Sequence, residues 1–495
     1  MKLQSRLLLA LVASAALIAG CGGGDSALPV VSGAAPPPAI VPEELREQDS
    51  RNSFAVSAAD AATTTFAPMS TQAADTVDVA TTSRWAGVLG VSGYRVEVPA
   101  AWNGKLVMYA HGFAGNGNVL SVNNPSIRRY LIQNGYAWAA SSYSKNYYDV
   151  RAGIEDTNAL ALEFNKIATK NGRTLATPSK IYITGVSMGG HISAAAIEDE
   201  AAATANNKVK YAGAVPMCAV AGDTELFDTF AAIQVAAQAV AGVPSYPTNK
   251  WSEIEPLVRG TLFTTFPSVP NGTKGTQFTA ILQNLTGGPR PMFAQGLQFG
   301  GSFPFAYGTF GGDGTITGIL NKNILDTNRY VYTIDGDLAA SNAINSLAQK
   351  LTAAPDANRL RTDGLRWIPK INGEFKIPVV TIHTLGDLFV PFSMQQVYQK
   401  RVATKGNSTW LVQRAIRGAS HCDFTIAESV AAFDDMIKWE RDGIKPLGDD
   451  VLTPAVVAAP AYGCTFTKNT LGPDDTAGVG QLRGGIAQTT APCPP

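Results

Sequence analysis

Ile181-Tyr182-Ile183-Thr184-Gly185-Val186-Ser187-Met188-Gly189-Gly190-His191 is the stretch that decides the reading of this chain. Ile181–Thr184 is a short apolar run rich in β-branched residues, the pattern of a buried strand. Gly185 to Gly189 then place Ser187 between two glycines. An alanine-rich stretch with helical spacing follows, from His191 to about Ala203. A strand that turns sharply into a helix lifts the intervening serine onto a strained elbow, and the glycines let neighbouring backbone approach.

Working outward, the same alternation recurs. Gly93–Val98, Lys105–Ala110, Tyr136–Ser141, Tyr211–Met217, Ile377–His383 and Trp410–Ile416 read as strands. Gly153–Ala168 and Ile426–Arg441 have helical spacing. Short strands without polar alternation, separated by helices, predict an α/β fold with a mostly parallel central sheet and flanking helices. The alternation stops between Asp223 and Glu374. A contiguous stretch of that size between two strand–loop units predicts a lid or cap insertion at 224–373. Its Trp251, Phe293, Phe299, Phe303, Phe305, Tyr307 and Phe310 are expected to supply much of an apolar substrate pocket.

A serine hydroxyl needs an adjacent base to act as a nucleophile. The chain has 4 histidines. His191 lies on the serine's own helix, His111 heads a loop after an early strand, and His383 sits in or at the end of a strand. His421, in Gly418-Ala419-Ser420-His421, follows a late strand and precedes a closing helix, which makes it the candidate base. The candidate acid is Asp387, in the turn Gly386-Asp387 after Ile377–His383. Asp223 is the rival, and Asp335 and Asp337 read as turn residues. An oxyanion needs two backbone N–H donors, expected from Met188 and from Phe113 of His111-Gly112-Phe113.

Serine, acid and base in this chain order, each at a strand end, resemble the α/β-hydrolase superfamily. The resemblance covers about 84–223 and 374–442, within a catalytic domain expected at 81–223 and 374–445. It implies a serine hydrolase that cleaves carboxylic esters of small to medium or oligomeric substrates through an acyl-enzyme. A serine peptidase of the same fold, or a non-catalytic surface-binding lipoprotein on a hydrolase scaffold, are the alternatives. His421-Cys422 further resembles the tannase and feruloyl-esterase family, where a cysteine after the histidine pairs with one before the serine. Val186 holds that second position here. Secreted short-polyester hydrolases are another likeness.

Composition narrows the remaining classes. Lys+Arg and Asp+Glu are both 39, so a strongly basic nucleic-acid binder is excluded. Charged residues are 16%, below the ~25% of ordinary domains, while 45% are hydrophobic. Neither H-E-x-x-H, a Cys-x-x-Cys pair nor a dinucleotide fingerprint occurs, so no metal, cofactor or obligate protein partner is expected.

At the N-terminus, Lys2 and Arg6 precede the apolar run Leu7–Ile18, shorter than the ~20 residues of a membrane span. Leu17-Ile18-Ala19-Gly20-Cys21 resembles a bacterial lipoprotein signal. That likeness implies a signal at 1–20, a lipid anchor to the membrane at Cys21, and, with Gly22 next, an outer-membrane location in the cell envelope. Residues 21–80 read as a flexible tether and 446–495 as a tail with little core. Of 5 cysteines, those other than Cys21 are Cys218, Cys422, Cys464 and Cys493. Cys218 and Cys422 each follow a sheet strand, so the expected disulfides are Cys218–Cys422 and Cys464–Cys493.

Overall fold

Buried apolar runs become strands throughout this chain. The computed structural model describes residues 64–490 and 493, apart from 118, 313 and 317. The expected signal segment 1–20, the expected anchor Cys21 and most of the expected tether lie outside those residues. In chain order the strands are β1 (Ser83–Leu89), β2 (Ser92–Val98), β3 (Lys105–Ala110), β4 (Ala137–Ser141) and β5 (Lys180–Val186). They continue with β6 (Gly213–Met217), β7 (Phe263–Thr265), β8 (Val269–Pro270), β9 (Val379–Thr384) and β10 (Leu411–Ile416).

Eight of them form one sheet in the order β1-β2-β4-β3-β5-β6-β9-β10, while β7 and β8 pair by themselves. β2 runs antiparallel to both its neighbours and every other pair in the large sheet is parallel. Every residue of β4, β6, β9 and β10 is buried, as expected of parallel strands covered on both faces. On one face, Met108, Ile183 and Ala214 pack against Ile154, Phe164 and Ile192. On the other, Val107, Tyr182 and Val215 pack against Phe433 and Met436 of the helix Ile426–Asp442. That helix opens on a capping box between Thr425 and Glu428. The arrangement is the α/β-hydrolase fold, a mostly parallel sheet with helices on both faces.

Three expectations need correction. The helix after Ser187 is not continuous to Ala203: it runs Met188–Ala195 and restarts at Asp199–Thr204. Glu198 turns inward at the break, and its buried carboxylate accepts the amides of Gly373 and Glu374. Burial pushes that carboxyl up to about 7. Residues 64–80 are not free tether either. Phe66 packs on Trp138, Val79 is fully buried, and Arg95 and Arg128 donate to the carbonyls of Thr64 and Ala67. The apolar side chains spaced through this Ala/Thr-rich stretch find a sheet face to cover.

Thirdly, the tail beyond residue 445 does build core. Val451, Val457, Tyr462 and Ile486 are buried with Leu385, Phe392 and Ala415, and Ala477–Thr489 is a helix. Arg129 joins the two ends of this body, holding Asp75 on one side and Asp474 on the other, at 2.8 and 2.7 Å. Among the described residues, no helix is long and apolar enough to cross a membrane.

The insertion between β6 and β9 is helical, with Glu225–Ala241, Trp251–Leu262 and Gly272–Leu285 as its longest elements. Most of the aromatics singled out in the sequence make its own core, and of them Phe310 also lines the cavity at Ser187. Trp251, Phe303, Tyr307 and Phe310 pack on one another and on Phe263 and Phe266. Phe305 is exposed, and Phe299 packs against the tail.

Candidate active site

Ser187 sits at the end of β5 with φ 59° and ψ −120°, a conformation non-glycine residues seldom adopt. Its neighbours make that possible. A Cβ on Gly189 would lie 2.0 Å from the carbonyl oxygen of Ala110, so only glycine lets the new helix pass this close to β3. Gly189→Ala is therefore expected to prevent the elbow from closing. The measurement is soluble yield and thermal unfolding, and a folded, active Gly189→Ala protein would show the crowding to be absorbed elsewhere.

The three groups singled out in the sequence meet at this elbow. His421 Nε2 lies 2.8 Å from Ser187 Oγ, and His421 Nδ1 lies 2.5 Å from Asp387 Oδ2. Asp387 is fully buried, and its other oxygen accepts the amides of Phe389 and Val390. Those bonds orient the carboxylate, leaving Oδ2 for the imidazole. The loops carrying acid and base are zipped by backbone bonds from Leu385 to Ile416 and from Gly386 to Gly418. Thr384 Oγ1 donates to the Ser420 carbonyl and adds a third tie.

The remaining histidines are held elsewhere. His111 stacks on Tyr143 and its ring nitrogens face the carbonyls of Gly112 and Ser142. His191 lies between Tyr148 Oη and the Pro369 carbonyl. His383 faces Val390 O and Gln395, and burial pushes its imidazole down to about 4. Burial also lowers His111 and His191, which favours the neutral form of each ring. Asp223, the rival acid, pairs with Arg401 at 2.6 Å and accepts the Ile371 amide, so its carboxylate is engaged elsewhere. Asp335 and Asp337 receive Asn284 and the Ala340 amide, as turn and cap residues do.

The expected oxyanion donors belong to the two segments next to Ser187. Met188 is the first residue of the helix after the serine, where backbone N–H groups have no intrahelical partner. The Gly112-Phe113 loop passes over the serine: a Cβ on Gly112 would stand 3.3 Å from Ser187 Cβ. Tyr143 Oη donates to the His111 carbonyl and pins that loop from below.

Both expected disulfides are present, Cys218–Cys422 and Cys464–Cys493. The first ties the residue after His421 to the end of β6. Cys218, His421 and Cys422 lie close enough together to suggest metal ligands, but the two sulfurs are bonded to each other and offer no thiolate.

A cavity of about 430 Å³ opens at Ser187. Phe113, Tyr148, Phe227, Phe230, Phe310 and Phe389 form much of its wall, and none of the described residues lining it is Asp, Glu, Lys, Arg or His. Phe389 also packs edge-on against the His421 ring. Several of these positions escaped the sequence reading. Phe227 and Phe230 lie on a helix whose apolar pattern shows burial but not which neighbour it meets. Arg290, buried beneath the acid loop and donating to Leu385 O, was equally illegible. Ser302 of the insertion accepts the Leu388 amide, which docks the insertion onto the acid loop.

Comparison with known proteins finds no matching family model. A stretch of 66 residues is 32% identical to o-phthalyl amidase of Xanthobacter agilis, spanning 13% of this chain and 15% of that protein. Among solved structures, feruloyl esterase B of Aspergillus oryzae is similar over 74% of this chain and 81% of its own, at 15% identity and a TM-score of 0.41. Candida antarctica lipase A is similar over 82% and 85%, at 16% identity and a TM-score of 0.36.

Proposed function

We propose that this chain is a serine hydrolase that cleaves carboxylic esters through an acyl-enzyme. The observation that carries the reading is the hydrogen-bonded line from Ser187 Oγ through His421 to Asp387. In this mechanism Ser187 Oγ attacks the ester carbonyl carbon as its proton passes to His421 Nε2. The Nδ1–H of His421 donates to Asp387, which fixes the tautomer and stabilises the imidazolium. Negative charge on the carbonyl oxygen is received by the amides of Met188 and Phe113. Collapse expels the alcohol, which leaves with the proton from His421. Water, deprotonated by the same histidine, then attacks the acyl-enzyme and frees Ser187.

The lining supports a neutral substrate. A carboxylate buried beside aromatic walls without a cation to pair with costs several kcal/mol. Nitrophenyl esters of straight-chain and benzoic acids are therefore expected to exceed the hemisuccinate ester by roughly 100-fold or more in kcat/KM. Matched anilides and peptide amides in the same panel test ester against amide preference. The likeness to an o-phthalyl amidase keeps the amide arm necessary. Faster turnover of amides than of esters would sink the ester reading and leave the triad standing.

A further inference from the structure

The loop that carries His421 is held from outside by the far end of the chain. β10 ends at Ile416, and the chain turns through Arg417, Gly418 and Ala419 to His421 before Thr425 opens the next helix. On the inner side this loop is bonded to the acid loop, as described above. On its outer side lies Arg483, in the middle of the tail helix Ala477–Thr489 and buried. Its guanidinium donates to the Arg417 carbonyl at 3.2 Å and to the Asp423 carbonyl at 2.6 Å, one at each end of the loop. It also pairs with the buried Glu428 at 2.8 Å. Arg417 in turn donates its own side chain to the Pro460 carbonyl of the tail.

We infer that Arg483 is a positioning residue for His421, so that the C-terminal tail is a working part of the active site; this rests on the triad reading above. The physical reason lies in the fork. A planar guanidinium reaches two carbonyls and a carboxylate at fixed angles, and an ammonium on a flexible stem does not. Glu428 needs a cation nearby for its charge, but that need is met by any cation. The two loop carbonyls need the fork. His421 reaches Ser187 only if the loop between those carbonyls keeps its span, and misplacement on the order of 1 Å costs up to ~100-fold in rate.

Arg483→Lys separates the two roles, since it keeps the charge for Glu428 and removes the fork. It is expected to lower kcat by about 10-fold with KM within a factor of about two and with near-native thermal unfolding. Arg483→Gln, lacking both, should fall further. Trp85→Ala on the edge strand β1 serves as the control for general destabilisation and should leave kcat unchanged well below its Tm. The inference is overturned if folded Arg483→Lys turns over at the wild-type rate, if Trp85→Ala loses kcat equally, or if neither Arg483 variant folds. Ser187→Ala run in parallel keeps the two readings apart. If it retains turnover, the triad itself is wrong. If it is dead while Arg483→Lys is fully active, only the positioning role falls.

Discussion

Ser187→Ala and His421→Ala are each expected to lower kcat by roughly 10⁴–10⁶-fold on a good ester, and the double variant by little more. Nucleophile and base act as one unit, because a hydroxyl without its base and a base without its hydroxyl are equally idle. Asp387→Asn should leave more activity than either. Asp387 holds two backbone amides on one oxygen and the imidazole on the other. An asparagine must place its oxygen toward one set and its NH₂ toward the other. With the NH₂ facing His421, the imidazole turns its acceptor nitrogen to that amide and its proton toward Ser187, the wrong tautomer for a base. Asp223→Asn gives the contrast: it should lower thermal stability through Arg401 and leave kcat near wild type. Steady-state kinetics on the purified variants decide the matter. Wild-type turnover by Ser187→Ala removes the proposed mechanism, and a severe Asp223→Asn beside a mild Asp387→Asn would move the acid.

The second large effect concerns the Cys218–Cys422 bond. It spans a sequence separation of 204, and Cys422 adjoins His421 at a positive φ of 56°. Cys218, also at positive φ, is fastened to β9 by the hydrogen bond its backbone N–H donates to the Ile382 carbonyl. The bond thus anchors the histidine loop to the sheet itself. Cys218→Ala with Cys422→Ala is expected to cost about 2–4 kcal/mol of stability, and kcat should fall about 10–100-fold as the imidazole loses its mooring. Cys464–Cys493 closes a separation of only 29 and acts on the His421 loop only through the tail, where Arg417 donates to Cys464 Sγ, so its removal should lower stability and cost kcat less than loss of the first bond. Thermal unfolding and kcat of the two paired variants, with and without reductant, separate these outcomes. Equal kinetic loss from both pairs would mean that the bonds act only through global stability.

Much of this was legible because the relevant physics is local. The elbow reads from Ser187 and its glycines, since the strand, the turn and the helix start lie within one short stretch. Asp387 and His421 read from their places at strand ends. The sheet read well where strands are buried on both faces and poorly where they are not. β1 was missed because Ser83–Leu89 is a half-exposed edge strand with Arg84 in its run. What sequence could not show are meetings across the fold. Phe230 and Phe389 stack at 5.8 Å from distant parts of the sequence, and nothing near either residue announces the other. Arg483 is the sharper case. It lies in a Gly-rich tail that composition marks as loose, and the neighbours that make it matter sit at residues 417, 423 and 428. Glu198 shows the converse, where a good helical pattern yields to two amides that need a buried acceptor.

Arg129 binds Asp75, near the start of the described chain, and Asp474, near its end, with one guanidinium. Segments about ten to twenty residues from the two ends of the described chain therefore meet at one side chain. A load drawn through residues upstream of residue 64 would be met first at Thr64, Phe66 and Ala67, held by Arg95, Trp138 and Arg128, and next at this side-chain clasp. Because Arg95 and Trp138 belong to β2 and β4, such a load reaches the sheet on the side away from β10, which leads to His421.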